Sequence, residues 1–227
     1  MRLGIYGAAA GEGAPGEPWS TFAASVGALL EPIPHAAGAR GAKPASPSRW
    51  DAVLVCGALD AAGETALRAL VAFAGAGGPV LAVGAGFRSL CVLGLLPGRV
   101  TSPADVDAGA GDLPPPALAH LRVEGRSTPF TSAIPAGRVI SLAGSSAAAA
   151  PGLRYDVAEP AALEARGQVI FRYCDAAGGT RARVRSPIAG VCGEAGNVVG
   201  LLAGPAALEG DVTQLLGSLR MHLAGKR

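Results

Sequence analysis

Apolar residues in this chain gather in short uninterrupted runs, and these alternate with segments of helical spacing. Residues 2–6 (RLGIY) open as a strand, and a glycine-rich loop follows over 7–18. Over 19–30, Phe22, Val26, Leu29 and Leu30 recur on one helical face, which predicts a helix capped by Ser20 or Thr21. Residues 32–48 are rich in Pro, Gly, Ser and Ala and read as a loop around a short strand near Ile33. The runs 51–56 (DAVLVC), apolar after Asp51, and 79–83 (PVLAV) read as strands buried on both faces of a parallel sheet. Between them, 65–74 (TALRALVAFA) predicts an amphipathic helix ended by the glycines of 75–78. Gly84-Ala85-Gly86 then turns directly into a helix over 87–95, stopped by Pro97-Gly98.

This β-α-β-α-β-α order predicts an open, mainly parallel sheet with helices on both faces. The second half has a different texture. Residues 120–124, 138–143, 168–173 and 197–202 read as short strands between turn-rich loops. A helix is expected over 160–165, after Glu159, and a closing helix over 210–223, with Asp211 near its start. Residues 101–118 and 143–152 are low-complexity loops. No internal repeat is present, and the expectation is a single domain over 1–227.

Composition narrows the function classes. Half of the residues are hydrophobic and 16% are charged, with a mean hydropathy of +0.37, too apolar for a disordered chain. The net charge is +2, from 19 basic and 17 acidic residues. That provides no strong field for nucleic acid or acidic lipid. No run of about 18 apolar residues predicts a membrane span, so the expected location is the cytoplasm. Cys56, Cys91, Cys174 and Cys192 show no CxxC spacing and read as buried thiols, with neither a disulfide frame nor a metal site. There is no Walker loop, and the glycines at 7, 11 and 13 do not follow dinucleotide-binding spacing, so no cofactor is expected.

The stretch 79–98 carries the most chemistry. A buried strand, a tight turn and an immediate helix make a nucleophile elbow in several hydrolase folds. A Cys or Ser at its tip gains from the helix dipole and from backbone amides that form an oxyanion hole. Here the tip is Gly84, which permits the turn but brings no nucleophile. Taken alone, the segment reads as a plain strand-to-helix turn.

Collinear segments add to this. Gly86-Phe87, Leu90 and Gly94-Leu95-Leu96-Pro97-Gly98 follow the turn. His120-Leu121-Arg122-Val123-Glu124 and Thr128-Pro129-Phe130-Thr131 come next, then GQVIFRYCD over 167–175, IAGVC over 188–192 and GNVVGL over 196–201. Together they resemble the glutaminase subunit family of phosphoribosylformylglycinamidine synthase, a class I glutamine amidotransferase domain. The match covers most of residues 50–205; the first 50 residues match weakly. The resemblance implies a three-layer, flavodoxin-like α/β fold.

It also locates departures. The family's nucleophilic Cys aligns with Gly84, its catalytic His with Gly204 and its Glu with Ala206. A family segment AHGEG aligns with 143–147, and the loop after the second strand is shortened to Gly57-Ala58-Leu59-Asp60. The family's NPNGS loop is missing between Gly179 and Ile188, where Arg181, Arg183 and Arg185 stand, read as a solvated edge or as a basic contact for a partner or a phosphate ligand. Amide hydrolysis by this route needs a thiolate, a proton-exchanging His and an orienting carboxylate. Cys56 is the only thiol expected near the turn, and His35, His120 and His222 form no new triad. The expectation is therefore a chain that is not an enzyme, with a vestigial cleft at Gly57, Gly84, Ala85 and Gly204. Such a chain would be a catalytically inactive homologue in purine biosynthesis that docks on a large synthetase of the formylglycinamide ribonucleotide amidotransferase type. The alternatives are a small-molecule binding module using that cleft, or an amidotransferase using other residues.

Overall fold

The computed structural model describes residues 1–6, 23–33, 49–57, 59, 64–98, 118–143, 159–179, 188–201 and 211–226. Among them the strands are β1 (Arg2–Tyr6), β2 (Leu29–Pro32), β3 (Ala52–Val55), β4 (Val80–Val83), β5 (Leu118–Val123), β6 (Val139–Ala143), β7 (Val169–Cys174), β8 (Ile188–Cys192) and β9 (Val198–Leu201). The helices are α1 (Glu64–Gly75), α2 (Ala85–Val92), α3 (Glu159–Ala165) and α4 (Val212–Ala224). The strands make one sheet in the order β2-β1-β3-β4-β9-β8-β7-β5-β6. Pairing is parallel from β2 across to β9 and antiparallel from β9 to β6.

Burial explains the three layers. Every residue of β3, β4, β8 and β9 is buried, as strands covered on both faces require. Alternate side chains point to opposite faces. Leu3, Ile5, Leu54, Leu81 and Val83 pack with Leu215, Leu216 and Leu219 of α4. Val53, Val55, Val80 and Ala82 pack on the other face with Leu70 of α1, Phe87 and Leu90 of α2 and Leu163 of α3. Among the described residues, no helix is long and apolar enough to cross a membrane.

Two expectations change. Of the helix predicted over 19–30, residues 23–25 are helical, whereas Leu29 and Leu30 lie in β2. Gly27, at φ +64°, turns the chain, and the Ala28 amide donates back to the Ala23 carbonyl at 2.8 Å. Leu29 then pairs with Arg2 along the free edge of β1. The apolar spacing was helical, but a left-handed glycine and an unfilled sheet edge decide the outcome. The run 188–192, read only as part of a motif, is the buried strand β8. Its glycine is structural: a Cβ on Gly190 would lie 2.7 Å from the Gly200 carbonyl of β9.

Candidate functional site

The turn between β4 and α2 has the backbone geometry of an elbow. Gly84 sits at φ +55°, ψ −121°, a region that costs most side-chain-bearing residues strain. Its amide donates to the Leu201 carbonyl at 3.1 Å, and its carbonyl accepts from the Phe87 amide at 3.1 Å. The end of β9 is thereby tied to the tip of the elbow. Gly86 brings α2 against β3 so closely that a Cβ there would lie 2.1 Å from the Val55 carbonyl oxygen. Gly200 makes room for Phe87: a Cβ on Gly200 would come within 2.3 Å of that ring. The segment after β3 is held to α2 by the Leu59 amide, which donates to Ser89 Oγ at 3.0 Å. Continuing the β3–β4 register from Val55 and Ala82 sets Gly57 level with Gly84, at the carboxyl ends of neighbouring strands.

The other sequence-derived residues fall variously. Gly204, Ala206, Arg181, Arg183, Arg185, His35 and residues 144–147 lie outside the described residues. Cys56 directs its thiol into the core shared with α4, and burial pushes that thiol well above its ordinary range, the reverse of what a nucleophile needs. The Cys192 thiol is also raised by burial, which outweighs the nearby Arg126. All four cysteines are buried as thiols, outside any disulfide. His120 Nδ1 lies 2.9 Å from Ser141 Oγ across the β5–β6 pair. Burial and Lys226 hold the His222 imidazole below its ordinary value. Among the described residues, no group of three or more His, Cys, Asp or Glu could hold a metal ion.

Asn197 was read as the start of a strand and as part of a motif, yet it organises the opposite end of the sheet. Its Nδ2 donates to the carbonyls of Ala74 and Gly78, both at 2.8 Å, fastening the end of α1 and the entry to β4 against β9. Polarity at the start of an otherwise apolar strand was the available signal.

No protein-family profile matches the chain. Its fold resembles PurLQS from Thermotoga maritima, with a TM-score of 0.61 at 17% identity over 98% of both chains. A glutamine amidotransferase from the same organism gives a TM-score of 0.50 at 12% identity, over 99% of this chain and 84% of that one. The architecture is that of a class I glutamine amidotransferase domain. In sequence, the chain is 37% identical over 174 residues to phosphoribosylformylglycinamidine synthase subunit PurQ of Nitrobacter winogradskyi, which covers 72% of this chain and 67% of the relative. The PurQ subunit of Synechococcus elongatus is 40% identical over 154 residues, covering 67% of this chain and 63% of the relative. The chain thus spans about two thirds of the length of these relatives, and it belongs to the PurQ family.

That membership corrects one expectation. The lack of a side-chain nucleophile at Gly84, with the residues aligned at Gly204 and Ala206, had placed the chain outside the enzymes. Its relatives are subunits of a synthase, so the chain falls within an enzyme family. Physically, the missing side chain at the tip bears on one route of attack, whereas fold, core packing and elbow backbone form a much larger shared set.

Proposed function

We propose that the chain serves as the PurQ-type, glutaminase-like subunit of a phosphoribosylformylglycinamidine synthase in purine biosynthesis, working in complex with a synthetase subunit. The observation that carries this reading is the elbow at Gly84, held in an elbow backbone conformation inside the segments collinear with the family. The carboxyl edge of the parallel half of the sheet, where Gly57 and Gly84 lie level, is the surface that would face the bound nitrogen source. Open α/β sheets bind ligands at that edge. The likeness to PurLQS from Thermotoga maritima supports assembly with a synthetase-type partner. The test is reconstitution with the synthetase from the same cell. Co-elution, and synthase turnover that depends on adding this chain, are the expected results. A chain that elutes alone and leaves turnover unchanged overturns the proposal.

A further inference from the structure

The chain beyond β3 reaches the Gly84 edge without a strand ladder to hold it. The last bond to β1 runs from the Cys56 amide to the Tyr6 carbonyl at 3.0 Å, and the Gly57 amide beyond it donates to no described residue. At Leu59 the chain is fixed again. Its side chain is buried in the same core as Leu70, Phe87 and Leu90, and its amide donates to Ser89 Oγ at 3.0 Å in a buried bond. Ser89 is itself buried. It stands on α2, one turn after Gly86, whose close approach to Val55 seats that helix on β3. The elbow and the segment after β3 are therefore tied to one helix. Without the Ser89 hydroxyl, the Leu59 amide would be a buried donor lacking its acceptor, a costly state that favours movement of the segment.

We propose that Ser89 is a positioning residue for the carboxamide that supplies nitrogen: by holding the Leu59 amide it keeps Gly57 level with Gly84, so that main chain after β3 borders the substrate. The assignment rests on the carboxyl edge of the sheet facing the nitrogen source. The Ser89 hydroxyl touches no substrate and acts through the segment it anchors. That segment would border the substrate in the ground state and the transition state alike, so loosening it removes binding common to both. Such a loss raises KM and leaves kcat. A protein that merely folds less well behaves differently, because fewer active molecules lower the apparent kcat while KM stays.

The test uses the chain reconstituted with the synthetase from the same cell, with initial rates followed against L-glutamine. Ser89→Ala should raise KM for L-glutamine about tenfold, a loss of roughly 1.4 kcal/mol, with kcat within about twofold of wild type. Ser89→Cys keeps a weaker acceptor of similar size and should raise KM by a smaller factor. Asn197→Ala is the control: it loosens the opposite end of the sheet and should leave KM unchanged. Co-elution with the synthetase and far-UV circular dichroism establish that each variant folds and assembles. A wild-type chain that adds no glutamine-dependent turnover overturns the synthase reading and this assignment together. With wild-type turnover present, an unchanged KM in the two Ser89 variants, or an equal rise in Asn197→Ala, overturns the assignment of Ser89 alone.

Discussion

Replacing Gly86 by Ala tests the contact that sets the elbow. An added Cβ would lie 2.1 Å from the Val55 carbonyl oxygen, 2.6 Å from its carbon and 2.9 Å from Val55 Cγ1. The obstacle is main chain of β3, which pairs with β1 on one side and β4 on the other, so β3 cannot yield. Helix α2 must move instead, and it carries Phe87 and Leu90, both fully buried. Overpacking of this kind costs about 1–3 kcal/mol, and a backbone obstacle argues for the upper end. At roughly 2–4 °C per kcal/mol for a chain of this size, a loss near 3 kcal/mol lowers Tm by about 6–12 °C. Thermal unfolding followed by far-UV circular dichroism reads this directly. Gly75→Ala is the matched control: its Cβ would meet nothing within 4 Å, and its effect should stay within about 1 kcal/mol. A Gly86→Ala protein that melts with the wild type, or a Gly75→Ala protein that loses as much, refutes the packing argument.

Gly84→Ala should cost about 1–3 kcal/mol, from strain at positive φ; an unchanged urea midpoint would show that the turn relaxes. Asn197→Ala removes both bonds to the α1–β4 connection and should cost about 1–3 kcal/mol, because the Gly78 carbonyl loses its donor while the Ala74 carbonyl keeps the Gly77 amide; a stability equal to wild type would contradict it. All four thiols are buried, so a thiol reagent should label the folded protein slowly and completely only after denaturation; rapid native labelling at Cys56, located by mass spectrometry, would oppose the burial of its thiol. Glu31 is pushed up by burial but more strongly lowered by hydrogen bonds and charge from Arg2 and Arg49. A carboxyl depressed in the folded state adds stability above its unfolded value, lost as pH falls through its folded value. Stability should therefore decline with acidification below about pH 4.3, and Glu31→Gln should flatten that part of the profile; equal slopes in the two proteins would refute the assignment.

The parallel half of the sheet was legible because its signals are local. The runs 52–56 and 79–83 are apolar at successive positions, as strands covered on both faces are. The 65–74 helix showed itself by spacing and by the glycines after it. What escaped was set by distant partners. The edge of β1 draws Leu29 and Leu30 into β2, although their spacing is helical. Run 188–192 combines small and apolar residues that become a strand only because Gly190 fits against Gly200. At the candidate site, the tip of the turn was legible at Gly84, since an apolar strand followed at once by Gly-Ala-Gly leaves little room for another geometry. The clasp from Asn197 and the Ser89 bond to Leu59 were not, because each joins segments far apart in sequence.

Several of the residues that carried the family resemblance shape the turn. Gly86 fits against Val55, Phe87 beneath Gly200, and the Leu201 carbonyl accepts from Gly84. These contacts fix where β4 ends, how α2 starts and where β9 arrives, whatever side chain stands at position 84. Backbone conformation at the tip is thus imposed by its neighbours and separable from the chemistry the tip carries. A motif match built on such packing residues specifies fold and family, because a side chain added at Gly86 or Gly200 runs into main chain or ring. It is silent on rate. That is why reading enzyme class from Gly84, Gly204 and Ala206 failed while the same alignment gave the architecture: these three positions are a small part of the chain, and the packing is what the relatives share.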